Sequence, residues 1–85
     1  MTIEIYTTRT CPFCIRAKQL LDKKGAAYTE IDVGPDPALR DKMTKRAGKR
    51  SVPQIFVGQT HVGGCDELYA MDRAGRLDPL LKGAA

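Results

Sequence analysis

Two cysteines in the sequence Cys11-Pro12-Phe13-Cys14 have the spacing of a pair that forms and breaks a disulfide. They follow a short apolar segment and open an amphipathic one, which predicts a strand leading into the first turn of a helix. A helix N-terminus presents unpaired N–H groups and the positive end of the macrodipole, and both favour a thiolate over a thiol. Because Cys11 lies at the exposed start of the turn, we expect it to be the nucleophile. Cys14 lies one turn in, nearer the core, and we expect it to resolve mixed disulfides.

The same cysteine spacing also occurs in zinc sites. Cys11 and Cys14 together with His61 and Cys65 would give a Cys3His set, in which His61 and Cys65 are four positions apart. The lack of a second CxxC pair argues against zinc, as does a composition rich enough to form a core without a metal staple. A third interpretation, two ordinary buried cysteines, is disfavoured by Pro12 and by the position at a helix start.

The composition predicts a single small domain over residues 1–85. The sequence is 42% hydrophobic with no Trp and five Tyr and Phe residues, which indicates a modest, mostly aliphatic core. Three cysteines are an odd number and too few for a disulfide-stapled secreted scaffold. The sequence shows no signal-peptide pattern and no apolar run of transmembrane length. We therefore expect a cytoplasmic protein with no membrane partner.

The net charge of +4 is concentrated in one basic run, made of Lys42, Lys45, Arg46, Lys49 and Arg50. Such a run is most often the solvated face of a helix. Nucleic-acid binding would need a larger basic patch with interleaved aromatic residues, so we expect no nucleic-acid partner. A positive rim near an active site would instead attract anionic partners.

The hydrophobic pattern predicts the element order β-α-β-α-β-β-α. The predicted strands cover residues 3–7, 27–33, 54–57 and 60–62. The predicted helices follow Thr10, Asp36 and Asp66 as caps and end near Lys24, Gly48 and Gly75. Leu39, Met43 and Ala47 form the core stripe of the second helix. A short last turn is expected at 77–81, with residues 83–85 frayed.

This order predicts an α/β fold with a mixed four-stranded sheet and helices on both faces. Each of the two β-α-β connections is expected to be a right-handed crossover. A two-residue turn at 58–59 predicts that the last two strands pair antiparallel. A CxxC pair at the end of the first strand of a β-α-β unit is the thioredoxin-like pattern.

A proline at the start of the third strand marks a possible partner-binding corner. If the Val52–Pro53 bond is cis, the chain turns tightly there, and Val52 offers its N–H and C=O to an extended peptide. The alternative is an ordinary proline on an edge strand.

The segment Gly63-Gly64-Cys65-Asp66 leads into the third helix. Its small residues let a ligand approach the backbone, and a helix N-terminus attracts carboxylate. The Asp66 carboxylate would pair with an ammonium, so the segment suits the α-amino-acid end of a γ-glutamyl group. The alternative is a glycine turn with an Asp cap.

The chain resembles the glutaredoxins, and most of all their small bacterial dithiol (class 3-like) type, over nearly its whole length. The resemblance rests on three segments in order: residues 5–7 with the CxxC pair, Val52-Pro53-Gln54-Ile55-Phe56, and Gly63-Gly64-Cys65-Asp66-Glu67-Leu68. It implies a thioredoxin-like fold, a cis proline at position 53 and glutathione as reductant, with no metal. It also implies a monomer that acts on disulfide-bonded or glutathionylated proteins and depends indirectly on glutathione reductase and NADPH.

The resemblance also assigns roles by position. It implies that Cys11 and Cys14 form the redox disulfide and that Val52, beside Pro53, pairs with the backbone of glutathione's cysteine. Gly64, Cys65 and Asp66 would hold the γ-glutamyl end. Gln54 and Arg40 are candidates for the glycine carboxylate.

The sequence departs from the family pattern at two positions. Phe13 replaces the usual Tyr, which should tune partner contacts without abolishing the chemistry. Thr8 replaces the usual Lys, and the adjacent Arg9 is the candidate to supply its charge to the thiolate and to the glutathione carboxylate. Two alternative functions stay open: an iron–sulfur cluster scaffold, which Pro12 disfavours, and a redoxin served by a thioredoxin-type reductase, which residues 63–66 disfavour.

Overall fold

The structure is a computed structural model in which residues 2–84 are described. Along the chain, the elements within those residues are β1 (Ile3–Thr7), α1 (Pro12–Lys23), β2 (Thr29–Asp32), α2 (Pro37–Ala47), β3 (Gln54–Val57), β4 (Thr60–Gly63), α3 (Cys65–Arg73) and α4 (Leu77–Ala84). The predicted order of strands and helices is confirmed, and α4 is added at its end.

The strands form one mixed sheet in the order β2-β1-β3-β4. β1 pairs parallel with β2 and antiparallel with β3, and β3 pairs antiparallel with β4 across the turn at 58–59. Only one of the two expected crossovers therefore joins parallel strands, because α2 returns the chain to the far side of β1 in the opposite direction. This arrangement places the end of β1 beside the start of β3.

Two elements differ in length from their predictions. β2 covers Thr29–Asp32 only, because its ladder with β1 begins at the Glu4–Thr29 pair and ends at the Thr7–Asp32 pair. The last turn is an eight-residue helix, stabilised by fully buried Leu77 and by ion pairing of Lys24 with Asp78 at 3.0 Å. Gly83 and Ala84, which were expected to fray, are part of this helix, whereas Ala85 of the same prediction lies outside the described residues. No helix in the described range is long and apolar enough to cross a membrane.

The core lies on both faces of the sheet. One face carries a cluster of eleven buried residues contributed by the sheet, α1, α3 and α4: Ile3, Ile5, Ala17, Leu20, Leu21, Ile55, Val57, Val62, Cys65, Leu68 and Leu77. The other face carries Tyr6, Val33, Met43 and Phe56, with Leu39 and Ala47 of α2 packed against them. The predicted α2 stripe is therefore confirmed as core, and helices cover both faces.

Candidate active site

The side chain of Cys11 caps α1. Its backbone is extended, with φ −92° and ψ 109°, and its Sγ accepts a hydrogen bond from the Cys14 N–H at 3.2 Å. The expectation that Thr10 is the cap was wrong, because α1 begins at Pro12 and the residue before it, Cys11, is the N-cap. Pro12 follows at the first helical position, where a missing N–H costs nothing. The sulfur therefore lies at the positive end of the helix macrodipole.

The two thiols of the pair differ in burial, and burial changes the acidity of Cys14. Cys11 is half-buried, whereas Cys14 is 1% exposed, and both are free thiols in the structure. Burial, helped by the contact with Cys11, raises the pKa of Cys14 to about 12, although the Thr8 backbone N–H opposes this. Cys14 is therefore a protonated thiol at neutral pH, and Cys11 is the sulfur that a substrate can reach.

Val52 and Pro53 face this sulfur. The Val52–Pro53 peptide bond is cis, as the resemblance implied. The carbonyl oxygen of Val52 lies 3.8 Å from Cys11 Sγ, which donates a weak hydrogen bond to it. Among the described residues, the Val52 N–H makes no backbone hydrogen bond. A peptide backbone placed beside Cys11 would thus find a donor and an acceptor at Val52.

The start of α3 forms the third side of the site. Gly64 is the N-cap residue, and its N–H donates to Glu67 Oε1 at 2.9 Å. The expectation that Asp66 caps the helix was therefore wrong: it lies inside the first turn, and its side chain is exposed. Gly63 has φ +111°, and a Cβ there would approach Glu67 Oε1 to 2.9 Å. Glycine is thus needed where the chain leaves β4 for α3.

These elements enclose a cleft of about 170 Å³. It is lined by Phe13, Lys49, Ser51, Val52, Pro53, Gln54, Gly64, Cys65, Asp66 and Glu67. Six of the residues predicted for the glutathione site are therefore brought together beside the cysteine pair. A larger cleft of about 830 Å³ lies between residues 24–27 and 78–82, but none of the predicted site residues lines it.

The chain that forms this site is similar to known proteins over nearly its whole length. The family model named Glutaredoxin matches residues 3–62. The chain belongs to the glutaredoxin family. It is 56% identical to a glutaredoxin of Pseudomonas aeruginosa over 93% of this chain and 94% of that one, and 54% identical to glutaredoxin 3 of Escherichia coli over 94% and 96%.

Solved glutaredoxin structures show the same thioredoxin-like fold. The solution structure of the Brucella melitensis glutaredoxin has a TM-score of 0.87 and 50% identity, covering all of this chain and 92% of that one. The buckwheat glutaredoxin–glutathione complex has a TM-score of 0.89 and 32% identity over 96% and 77% of the two chains. Membership of the family establishes the chain as a thiol–disulfide oxidoreductase, and the neighbouring cysteines are suited to be its redox centre.

The three candidates for the glycine carboxylate differ in position: Arg9 and Arg40 are not among the residues that line the cleft, whereas Gln54 is. The Arg9 side chain is 89% exposed and points to Asp32, with Nε 3.5 Å from the carboxylate. Arg40 Nε and Nη2 donate to the Arg50 carbonyl at 3.3 and 3.1 Å, outside the residues that line the cleft. Gln54 lines the cleft but is 2% exposed, and its amide donates to Ser51 O at 3.0 Å.

The structure does not bring the Cys3His set together. The His61 ring stacks on Phe56 with centroids 4.6 Å apart, and its Nε2 lies 2.7 Å from Gln54 Oε1. Across residues 2–84, no group of three His, Cys, Asp or Glu side chains has the arrangement of a metal site. Cys65 is buried in the larger core cluster, and burial is the main cause of its raised pKa.

Sequence reasoning missed three residues of the cleft: Lys49, Ser51 and Glu67. A signal for Glu67 was available, because Glu at the third helical position commonly bonds back to the N-cap N–H. Lys49 belongs to the basic run considered above as a positive rim near an active site, but only the path of the loop before Pro53 brings it and Ser51 to this cleft.

Proposed function

We propose that this protein is a glutathione-dependent oxidoreductase that reduces protein disulfides and mixed disulfides with glutathione. The observation that carries the proposal is the contrast between a half-buried Cys11 sulfur, 3.8 Å from the Val52 carbonyl, and a fully buried Cys14. A substrate sulfur can approach Cys11 along the cleft. Cys14 lies on the inner side of the same helical turn, where it meets Cys11 and not the substrate.

Reduction of a protein disulfide then follows two exchange steps. The Cys11 thiolate attacks one substrate sulfur, the substrate S–S bond breaks, and the other sulfur leaves as a thiolate that takes up a proton. Cys14 loses its proton and attacks Cys11, which releases the second substrate thiol and leaves a Cys11–Cys14 disulfide. Two glutathione molecules reduce this pair and leave as glutathione disulfide.

A glutathionylated protein needs only Cys11. The Cys11 thiolate attacks the glutathione sulfur of the mixed disulfide, and the thiol of the substrate protein leaves. A second glutathione then attacks the sulfur that Cys11 has bound, which restores the Cys11 thiolate and forms glutathione disulfide. Glutathione reductase and NADPH would regenerate glutathione, in a monomeric protein of the reducing cytoplasm.

The cleft supports glutathione as the co-substrate. The Val52 N–H and C=O would pair with the backbone of glutathione's cysteine, and Gly64 leaves room for a ligand close to the chain. The γ-glutamyl carboxylate would accept from N–H groups at the start of α3, and its ammonium would donate to Asp66. The buckwheat relative was solved in complex with glutathione. Binding of the glycine carboxylate by Gln54, Arg40 or Arg9 stays a prediction.

Substitution of each cysteine tests the proposed roles. In an assay coupled to glutathione reductase and NADPH, Cys11→Ser should abolish reduction of both a protein disulfide and a glutathionylated peptide. Cys14→Ser should retain reduction of the glutathionylated peptide and lose most reduction of the protein disulfide. If Cys14→Ser lost both activities and Cys11→Ser kept one, the roles would be inverted.

Asp66→Asn tests the γ-glutamyl contact. The variant keeps the shape of the side chain and removes its charge, so the KM for a glutathionylated peptide should rise about tenfold, the loss of a charge-assisted hydrogen bond. Because Glu67 supplies the cap bond, the free energy of unfolding should change by less than about 0.5 kcal/mol. Asp41→Asn, at an exposed position on α2, is the matched control. An unchanged KM in Asp66→Asn would remove Asp66 from the glutathione site.

A further inference from the structure

The basic charge of the protein is concentrated in one part of the surface. Residues 37–51, which form α2 and the loop before β3, contain six Arg or Lys and one Asp, a net charge of +5. The other 70 residues contain eight Arg or Lys and nine Asp or Glu, a net charge of −1. The net charge of the whole chain is therefore carried by this single segment.

The charges of this segment are available to a partner. Lys42, Lys45 and Lys49 are exposed, and no ion pair within residues 2–84 involves any of them. Lys42 and Lys45 are three positions apart and so lie on one side of α2. By contrast, Arg46 is engaged with Glu4 at 2.9 Å, and Arg50 lies 3.4 Å from Asp41. We call Lys42, Lys45 and Lys49 the α2 cationic surface.

The α2 cationic surface continues into the active-site cleft. Lys49 lines the cleft together with Val52 and Phe13. Phe13 and Ile15 are the large hydrophobic side chains left exposed among the described residues, at 53% and 46%, and both follow Cys11 on α1. The charge of Lys49, the exposed ring of Phe13 and the Val52 carbonyl that contacts Cys11 therefore lie at one cleft.

We propose that the α2 cationic surface recruits protein substrates whose disulfide lies in an acidic segment, with an apolar neighbour of the disulfide packing on Phe13. The proposal rests on the proposed function, because the recruited disulfide must reach Cys11. Opposite charge on partner and cleft raises the encounter rate in a salt-dependent way. A nucleic acid fits this surface less well, since Tyr6 and Phe56 under α2 are buried and offer no stacking platform.

Two synthetic peptides test the charge preference. Both contain the same disulfide ring, flanked by three Glu residues in one peptide and three Lys residues in the other. In the coupled assay at low salt, kcat/KM for the acidic peptide should exceed that for the basic one by about tenfold. At about 0.5 M salt the ratio should approach one, because screening then acts over a few ångström. Equal rates at low salt would overturn the proposal.

A matched pair of charge reversals locates the effect. Lys42→Glu/Lys45→Glu should lose the preference for the acidic peptide. Lys23→Glu/Arg76→Glu makes the same change of net charge at the far end of α1 and after α3, and should keep the preference. If both double variants lost the preference for the acidic peptide equally, the preference would depend on net charge and not on the α2 cationic surface. Preferential binding of a single-stranded oligonucleotide over the acidic peptide would assign the surface to nucleic acid and also overturn the proposal.

A small substrate separates this proposal from the proposed function. The mixed disulfide of glutathione and 2-mercaptoethanol carries no acidic protein segment, so the wild type and both double variants should reduce it at similar rates. Failure of the wild type on this substrate would refute the proposed function itself. Turnover of this substrate without any preference between the two peptides would refute only the recruitment of acidic segments.

Discussion

The two faces of the sheet are packed in different ways. The face covered by α1, α3 and α4 contains eleven buried side chains, almost all aliphatic. The face covered by α2 contains four, and Met43 is the one buried residue that α2 contributes. We call these the α1 face and the α2 face.

The α2 face compensates with polar contacts centred on Arg46. Its guanidinium carbon lies 3.9 Å from the centroid of the Phe56 ring, and Nη1 donates to Glu4 at 2.9 Å and to Tyr6 Oη at 3.2 Å. Nη2 donates to the carbonyl of Gly58 at 3.2 Å. One arginine thus ties α2 to β1, to β3 and to the turn that follows β3.

The difference in packing between the two faces corresponds to what each contributes to the candidate active site. α1 and α3 start at the cleft, so packing along their length fixes Cys11 and the Gly64 turn in position. α2 contributes exposed charge, which acts over several ångström and needs less exact placement. Precision of the site therefore depends on the α1 face, and the α2 face tolerates a thinner core.

Truncation of one fully buried side chain on each face gives the largest expected effect. Leu21→Ala should lower the free energy of unfolding by about 3 to 5 kcal/mol, because α1 and its packed neighbours cannot collapse into the cavity. Met43→Ala should cost about 2 to 3 kcal/mol, since flexible side chains around a thinner cluster can close part of the space. Urea unfolding of the reduced proteins measures both. Equal costs would show that the two faces are equivalent in stability.

Substitution of Arg46 tests the polar half of the α2 face. Arg46→Ala removes the contact with the Phe56 ring and three hydrogen bonds, so the free energy of unfolding should fall by about 1 to 2 kcal/mol. Lys45→Ala, which removes an exposed neighbouring charge, should change it by less than about 0.5 kcal/mol. The same urea experiment compares them, and a cost for Arg46→Ala no larger than for Lys45→Ala would contradict the role given to Arg46.

The sequence predicts the fold well where local chemistry determines it. The strand and helix order, the turn at 58–59 and the α2 stripe follow from periodicity and from Gly and Pro positions. The antiparallel return of β3 against β1 does not, because pairing direction depends on which sheet edge the chain reaches after α2. The ion pair and burial that stabilise α4 also join residues distant in sequence.

At the site, the sequence predicts residue types better than their partners. Residues 52–54 and 64–66 line one cleft, and Cys11 lies beside it with its Sγ 3.8 Å from the Val52 carbonyl oxygen. Of the three predicted caps, Asp36 is confirmed, because its Oδ1 accepts from the Ala38 and Leu39 N–H groups. The other two were assigned wrongly because several side chains near those helix starts have suitable oxygen or sulfur atoms. Cys11 takes the N-cap position expected of Thr10, and Gly64, whose N–H donates to Glu67, takes the one expected of Asp66. Which of these neighbouring residues becomes the N-cap depends on backbone angles that the sequence does not specify.

The smallest expected effect concerns an ionic contact on the α1 face. Glu30 Oε2 accepts from Thr7 Oγ1 at 2.7 Å and from Lys18 Nζ at 3.0 Å, which ties the edge strand β2 to β1 and α1. The Thr7 hydrogen bond, followed by the Lys18 ammonium, holds the pKa of Glu30 below its ordinary value of 4.5.

A carboxyl whose pKa is lower in the folded state stabilises the fold above its unfolded pKa and loses this contribution as the pH falls. The free energy of unfolding of the wild type should therefore decrease as the pH falls below about 4.5, through the folded pKa of Glu30. In Glu30→Gln this part of the decrease should be absent, so the wild type and the variant should converge in acid. Because Glu30 is partly exposed, the difference at neutral pH should be below about 1 kcal/mol. Parallel stability curves for the two proteins between pH 3 and 7 would show that this contact contributes no pH-dependent stability to the α1 face.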